Sequence, residues 1–193
     1  MSNRNMLITT AVFVLLAAGI IVCRLGYHMG YVGVPNFTPV AAVAMFGGFL
    51  FGRRWIAVLA PLAAMLLSDL FIGFSDVLIT LSIYASILGF PLLTRRFLRP
   101  RFSALRVGLC AGSCSLVFFV TTNFAVWVVR SEVYARSLDG LVHCYTAALP
   151  FLRPTLAGDL MFSALLFGAY ALITNLRSMP AADNTAVRVG AVR

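Results

Sequence analysis

The sequence predicts an all-α integral membrane bundle of about six transmembrane helices. Of its 193 residues, 61% are hydrophobic and only 11% are charged, whereas soluble domains carry about 25% charged residues. In lipid, every backbone N–H and C=O must be paired within the protein, so a spanning structure is either helical or a closed barrel. The apolar runs are long and do not alternate in polarity as barrel strands do, which favours helices.

Six apolar runs give the predicted spans, and they cover residues 6–23, 40–51, 55–74, 77–93, 107–129 and 156–176. The first run is long for a secretory signal, so we expect it to be retained as a helix. The second run is short. At roughly 1.5 Å per residue it barely spans half to two-thirds of a bilayer core, so it either extends through Gly52 or lies shielded inside the bundle.

The connections between the runs are polar, and each has its own character. Glycines and prolines fill residues 24–39, which is typical of a loop. Arginines fill the connection 95–106. Within residues 130–153, apolar side chains recur at helical spacing and predict a short amphipathic helix lying in the membrane interface. We expect one transmembrane domain over residues 1–176 and a disordered cytoplasmic tail over 177–193.

Arginine positions predict the orientation, because the chain contains no lysine. With the N-terminus inside, eleven arginines lie on the cytoplasmic side and four on the outer side. Both termini are then cytoplasmic, and the predicted location is a bacterial inner membrane. The net charge of +9 is thus attributed to topology, and no nucleic-acid partner is expected.

Known catalytic and metal-binding patterns are missing from the sequence. It has no nucleophile elbow, no His-Glu-x-x-His and no phosphate-binding loop. Cys110-x3-Cys114 has no histidine nearby, so the cysteines are interpreted as apolar packing residues. We therefore expect no enzyme activity, no cofactor and no metal.

Polar residues inside the predicted spans are the candidates for function, because such residues are costly in a membrane. The topology places Asp69, Asp159, Asn123, Asn36 and Thr38 at similar depth on the outer side. We therefore predict an outward-opening polar pocket rimmed by aromatic side chains, among them Trp127. The predicted substrate-binding residues are Asn36, Thr38, Asp69, Asn123, Trp127 and Asp159.

A structural role is the alternative for each of these residues. Asp69 and Asp159 would then cap helix ends or pair with an arginine such as Arg24, Arg130 or Arg153. Asn123 and its neighbouring threonines would bond adjacent helices.

Several short motifs carry a resemblance to a known group of proteins. The segment from Asn36-Phe37-Thr38-Pro39 through Phe46-Gly47-Gly48, with Ser68-Asp69 further on, resembles the substrate-binding S components of energy-coupling-factor (ECF) transporters. Together with Gly52-Arg53-Arg54, Thr122-Asn123-Phe124 and Gly158-Asp159-Leu160, it also resembles a family of uncharacterised bacterial membrane proteins.

The ECF resemblance implies a small solute, often a vitamin, captured from outside beneath the first loop. It also implies a transmembrane coupling protein and two cytoplasmic ATPases as partners. S components often dock on these partners through an Ala-x3-Ala pattern in the first helix, and this chain lacks that pattern. The leading hypothesis is therefore a solute-binding transport subunit in the lipid bilayer. A scaffold or assembly protein of the cell envelope, holding a partner through residues 95–106, is the second hypothesis. A membrane enzyme that uses two aspartates as acid and base is the third.

Overall fold

The computed structural model describes residues 3–50, 54–98 and 103–178, and this part of the chain is all-helical. Six helices follow one another, and their bounds are α1 Asn3–His28, α2 Val40–Leu50, α3 Arg54–Ile72, α4 Val77–Phe97, α5 Ala104–Val129 and α6 Leu138–Ser178. Each predicted span thus corresponds to a helix. Three of them, α4, α5 and α6, are long and apolar enough to cross a membrane.

The short helix α2 is the centre of the bundle, and it contacts α3, α4, α5 and α6. Its residues from Val40 to Gly48 are all buried, so both of its sides face protein. At about 1.5 Å per residue, its 11 residues are too short to cross the membrane core alone. This burial agrees with the shielded alternative for the second apolar run, whereas residues 51–53, through which the run would extend, lie outside the described residues.

Close backbone contact fixes α2 against α4. A Cβ atom added to Gly48 would lie 2.6 Å from the Cα of Pro91. Side chains pack the opposite side of α2 on α6, where Phe46 and Phe167 meet edge to face at 5.3 Å between ring centroids. The glycine allows the approach, and the aromatic residues fill the space behind it.

Helix α6 corrects the prediction of a separate interfacial helix before the sixth span. It runs unbroken for 41 residues and contains Pro150 and Pro154. Its first half packs on the second half of α5, where the Tyr145 hydroxyl donates a hydrogen bond to the Val120 carbonyl at 2.7 Å. The stabilisation from this packing offsets the loss of the backbone hydrogen bonds that the two prolines cannot donate.

Two other predicted segments are changed by the structure. Arg24 belongs to α1, so the first loop begins after His28 rather than at residue 24. Residues 177–178 belong to α6, and the rest of the predicted disordered tail lies outside the described residues. Arg99 and Arg101 of the basic connection lie outside them as well.

Candidate functional site

A cavity of about 130 Å³ lies between the start of α2 and the helices around it. The polar part of its lining consists of Arg24, Asn36, Thr38, Thr155 and Asp159. Apolar side chains complete the wall, among them Ile87, Phe90 and Phe118. Such a cavity combines apolar walls with a few convergent polar groups, as small-molecule sites do.

Asp159 is the most deeply placed ionisable group of this cavity, with 5% of its surface exposed. Ser115 Oγ donates a hydrogen bond to its Oδ2 at 2.6 Å. Ser115 lies near the midpoint of α5, so Asp159 lies in the middle of the bundle rather than at the outer start of a span. The difference arises because α6 begins at Leu138, well before the predicted sixth span.

No cationic side chain within the described residues forms an ion pair with Asp159. A carboxyl group that is buried without an ion-pair partner is costly to ionise. A cation that entered the cavity would offset that cost. A neutral donor of hydrogen bonds would offset a smaller part of it.

Asp69 has a different environment from Asp159, because it is already paired. Its Oδ1 accepts a charge-assisted hydrogen bond from Arg24, and its Oδ2 accepts one from the Tyr84 hydroxyl at 2.8 Å. These three residues link α1, α3 and α4. Asp69 does not line the cavity, whereas Arg24 does, and Arg24 also donates to the Met65 sulfur at 3.0 Å.

The segment between α1 and α2 covers the cavity and is seated closely on α6. Phe37 packs against Phe162 with 5.4 Å between ring centroids. A Cβ atom added to Gly158 would lie 3.3 Å from the Phe37 ring, so the glycine makes room for this segment beside Asp159. Asn36 adopts a left-handed backbone conformation with φ of 58°, which asparagine tolerates better than most residues.

A second cavity of about 120 Å³ adjoins the first and brings Asn123 to it. Asn36, Phe118 and Thr155 line both cavities. The Asn123 amide donates to the Phe119 carbonyl at 2.8 Å, within its own helix. The structure thus brings together Asn36, Thr38, Asp159 and Asn123 around two neighbouring spaces.

Trp127 lies away from both cavities, at the connection between α5 and α6. Its indole N–H donates to the Ala135 carbonyl at 3.0 Å. The Arg136 guanidinium lies 5.6 Å from its ring centroid, and the same arginine donates to the Val128 carbonyl. In this structure Trp127 fastens a connection between helices.

Arg24, Ser115 and Thr155 belong to the site, but they were not among the predicted binding residues. Thr155 lies four residues before Asp159, and therefore on the same face of α6. Ser115 lies seven residues before Thr122, and both are buried on one face of α5. Helical spacing could have found both of these residues.

Among the described residues, no group of three His, Cys, Asp or Glu side chains could hold a metal ion.

A family model matches residues 2–182, which include every residue of both cavities. The chain belongs to DUF6580, a family of unknown function. The matched DUF6580 region also contains all six helices of the structure. No curated protein and no solved structure matches the chain.

Proposed function

We propose that this chain is a multi-pass protein of a bacterial inner membrane that binds a small solute for uptake. In this proposal it acts as an S-component-like substrate-binding subunit with both termini in the cytoplasm. The long apolar helices support a place in the membrane. The polar cavity at the start of α2 supports solute binding.

The burial of Asp159 inside the bundle is the main support for the proposal. Asp159 lies in the middle of a bundle whose other buried residues are mostly apolar, and it forms no ion pair among the described residues, since Arg24 of the same cavity is paired with Asp69. An ionisable side chain inside a membrane bundle costs folding free energy, and such residues are candidates for function for that reason. The unpaired carboxyl group favours a solute that carries a cationic group or donates hydrogen bonds.

The cavity volume limits the solute. About 130 Å³ is close to the engineered cavity of about 150 Å³ that accommodates benzene. A solute the size of one small ring therefore fits the structure as it stands. A larger solute, such as a vitamin, would also occupy the adjoining cavity or displace the segment of Asn36 and Phe37 that covers both.

Transport would require partners in addition to this chain. The sequence has no phosphate-binding loop. In the proposal, energy comes from a transmembrane coupling protein and cytoplasmic ATPases, as the ECF resemblance implies.

Thermal unfolding of the purified protein in mild detergent tests the proposal. A panel of small amines and guanidinium compounds is compared with carboxylates of matched size. A bound solute at a hundred times its Kd adds about 2.7 kcal/mol of stability, which raises the melting temperature of a chain of this size by about 5–11 °C. We expect cationic members of the panel to stabilise the wild type and not Asp159→Asn.

Asp76→Asn is the matched control, because Asp76 is exposed and paired with Arg130 at 3.1 Å. This variant should keep the response to the cationic compounds. Stabilisation of Asp159→Asn as large as that of the wild type would contradict the proposed site.

A further inference from the structure

A groove on the outside of the bundle follows the seam between the antiparallel helices α4 and α5. Its first part, of about 640 Å³, is lined by Arg96, Arg106, Leu93 and Leu109, among others. Its second part, of about 440 Å³, continues from Leu93 past Gly89 and Ala85. Leu93 lines both parts, so the two are continuous. The groove thus has a cationic end and an apolar extension.

Among the described residues, none of those that line the cationic end is acidic. No aspartate or glutamate occurs between Asp76 and Glu132, a stretch that contains all of α4 and α5. Arg96 is exposed near the end of α4. Arg106 is held in place, because one of its guanidinium nitrogens donates to the Phe97 carbonyl at 3.1 Å. Two guanidinium groups at one end of a groove favour a phosphate, which they bind through charge-assisted hydrogen bonds.

The apolar extension has the length of a lipid chain. From Arg96 to Ser82, α4 rises about 21 Å at 1.5 Å per residue, which exceeds the roughly 15 Å of one bilayer leaflet. The hydroxyls along it are already bonded, since Ser86 and Thr121 pair at 2.8 Å across the seam. A Cβ atom at Gly89 would meet no atom within 4 Å, so this part of the groove is open.

We propose that this groove binds one anionic phospholipid. Its phosphate lies between Arg96 and Arg106, and one acyl chain lies along Leu93 and Gly89. Charge and shape favour a lipid, because its phosphate pairs with the two guanidinium groups while its acyl chain fills the apolar extension. The proposal needs the membrane setting, but it is independent of the solute cavity.

Native mass spectrometry of the full chain tests this site. The protein is released from mild detergent after exchange into phosphatidylglycerol or into phosphatidylcholine with the same acyl chains. We expect the wild type to retain one phosphatidylglycerol at concentrations that leave phosphatidylcholine unbound. Arg96→Gln should weaken retention about tenfold, since it removes one charged hydrogen-bond donor. Equal retention of the two lipids would overturn the proposal.

Two variants test the apolar extension and the cationic end of the groove separately. Gly89→Leu fills the open part of the groove and should also release phosphatidylglycerol, although both arginines remain. Retention by Gly89→Leu together with loss by Arg96→Gln would contradict the acyl-chain placement. Arg136→Gln, at the other end of α5, is the control and should bind as the wild type does.

Free glycerol 3-phosphate distinguishes a lipid from a soluble phosphate ligand. We expect millimolar glycerol 3-phosphate to leave the bound phosphatidylglycerol in place, because it makes no contact with the apolar extension. Displacement of the lipid at that concentration would overturn the lipid assignment and indicate a phosphate site.

Discussion

Asp159 and Ser115 form a hydrogen bond of 2.6 Å at the middle of the bundle, between α6 and α5. Both are buried, with 5% and 1% of their surfaces exposed. The hydroxyl satisfies one oxygen of a carboxyl group that has no ion-pair partner among the described residues. Asp159 is therefore the residue whose replacement is most informative.

Ser115→Ala should destabilise the protein, because it removes the hydroxyl that bonds the buried carboxyl group. The expected loss is about 1–3 kcal/mol in the free energy of unfolding. Asp159→Asn should cost less, because the amide oxygen still accepts the Ser115 hydrogen bond and no buried charge remains. Thermal unfolding in detergent compares the two variants. A larger loss for Asp159→Asn than for Ser115→Ala would show that the negative charge itself holds the fold.

The pair of Arg24 and Asp69 is predicted to be a structural element. Breaking a largely buried ion pair on one side leaves the other charge unpaired, at a cost of about 3 kcal/mol or more. Arg24→Met and Asp69→Leu should each destabilise the protein by about that amount, and the double variant should lose less than the sum. A double-mutant cycle from unfolding measurements checks this. Additive losses would mean that the two side chains do not depend on each other.

Gly48 is predicted to tolerate no side chain. Its added Cβ would lie 2.6 Å from the backbone of Pro91, so Gly48→Ala should push α2 away from α4 and cost about 1–3 kcal/mol or more. Gly89→Ala is the matched control, since a Cβ there meets nothing within 4 Å and alanine favours the helix. Equal stability of the two variants would contradict the close packing of α2 on α4.

Asn36 is predicted to matter through its backbone as well as its amide. With φ at 58°, Asn36→Ala keeps a β-carbon in the left-handed conformation but lacks the side-chain amide that makes asparagine tolerate it, so it should be about 1–2 kcal/mol less stable than a glycine at the same position. Asn36→Gly removes the same amide without that strain. We expect the glycine variant to be the more stable of the two while losing the amide's contribution to solute binding. Similar melting temperatures would argue against the strained conformation.

Trp127 is predicted to stabilise the connection between α5 and α6 without taking part in binding. Trp127→Phe removes the hydrogen bond to Ala135 and should cost about 1 kcal/mol. The response to cationic compounds should be unchanged, because Trp127 lines neither cavity. If Trp127→Phe lost that response while keeping normal stability, Trp127 would belong to the binding site after all.

Most of the helices could be predicted from the sequence, because hydrophobic runs in lipid must be helical. The place of Arg24 within α1 and the continuity of α6 from Leu138 through both prolines could not be predicted, since a charge after an apolar run favours a loop and a proline favours a helix break unless the tertiary contacts are known. Arg24 is helical and paired with Asp69, and α6 continues through two prolines along α5.

The candidate site could be predicted only in part, for a similar reason. Asn36, Thr38, Asn123 and Asp159 were recognisable as polar residues in an apolar setting. Asp69 is paired because α1 lies beside α3 in the fold. No sequence pattern predicts the distance between these two helices. Asp69 and Asp159 look alike in sequence and differ in the structure.

Native mass spectrometry of the protein purified from its own host tests whether the cavity at Asp159 holds a solute. We expect a reproducible extra mass of a small cationic or hydrogen-bond-donating solute on the wild type and on Asp76→Asn. A folded Asp159→Asn variant should lack that mass. An extra mass that Asp159→Asn retains at the same occupancy would contradict the assignment of the cavity as the solute site.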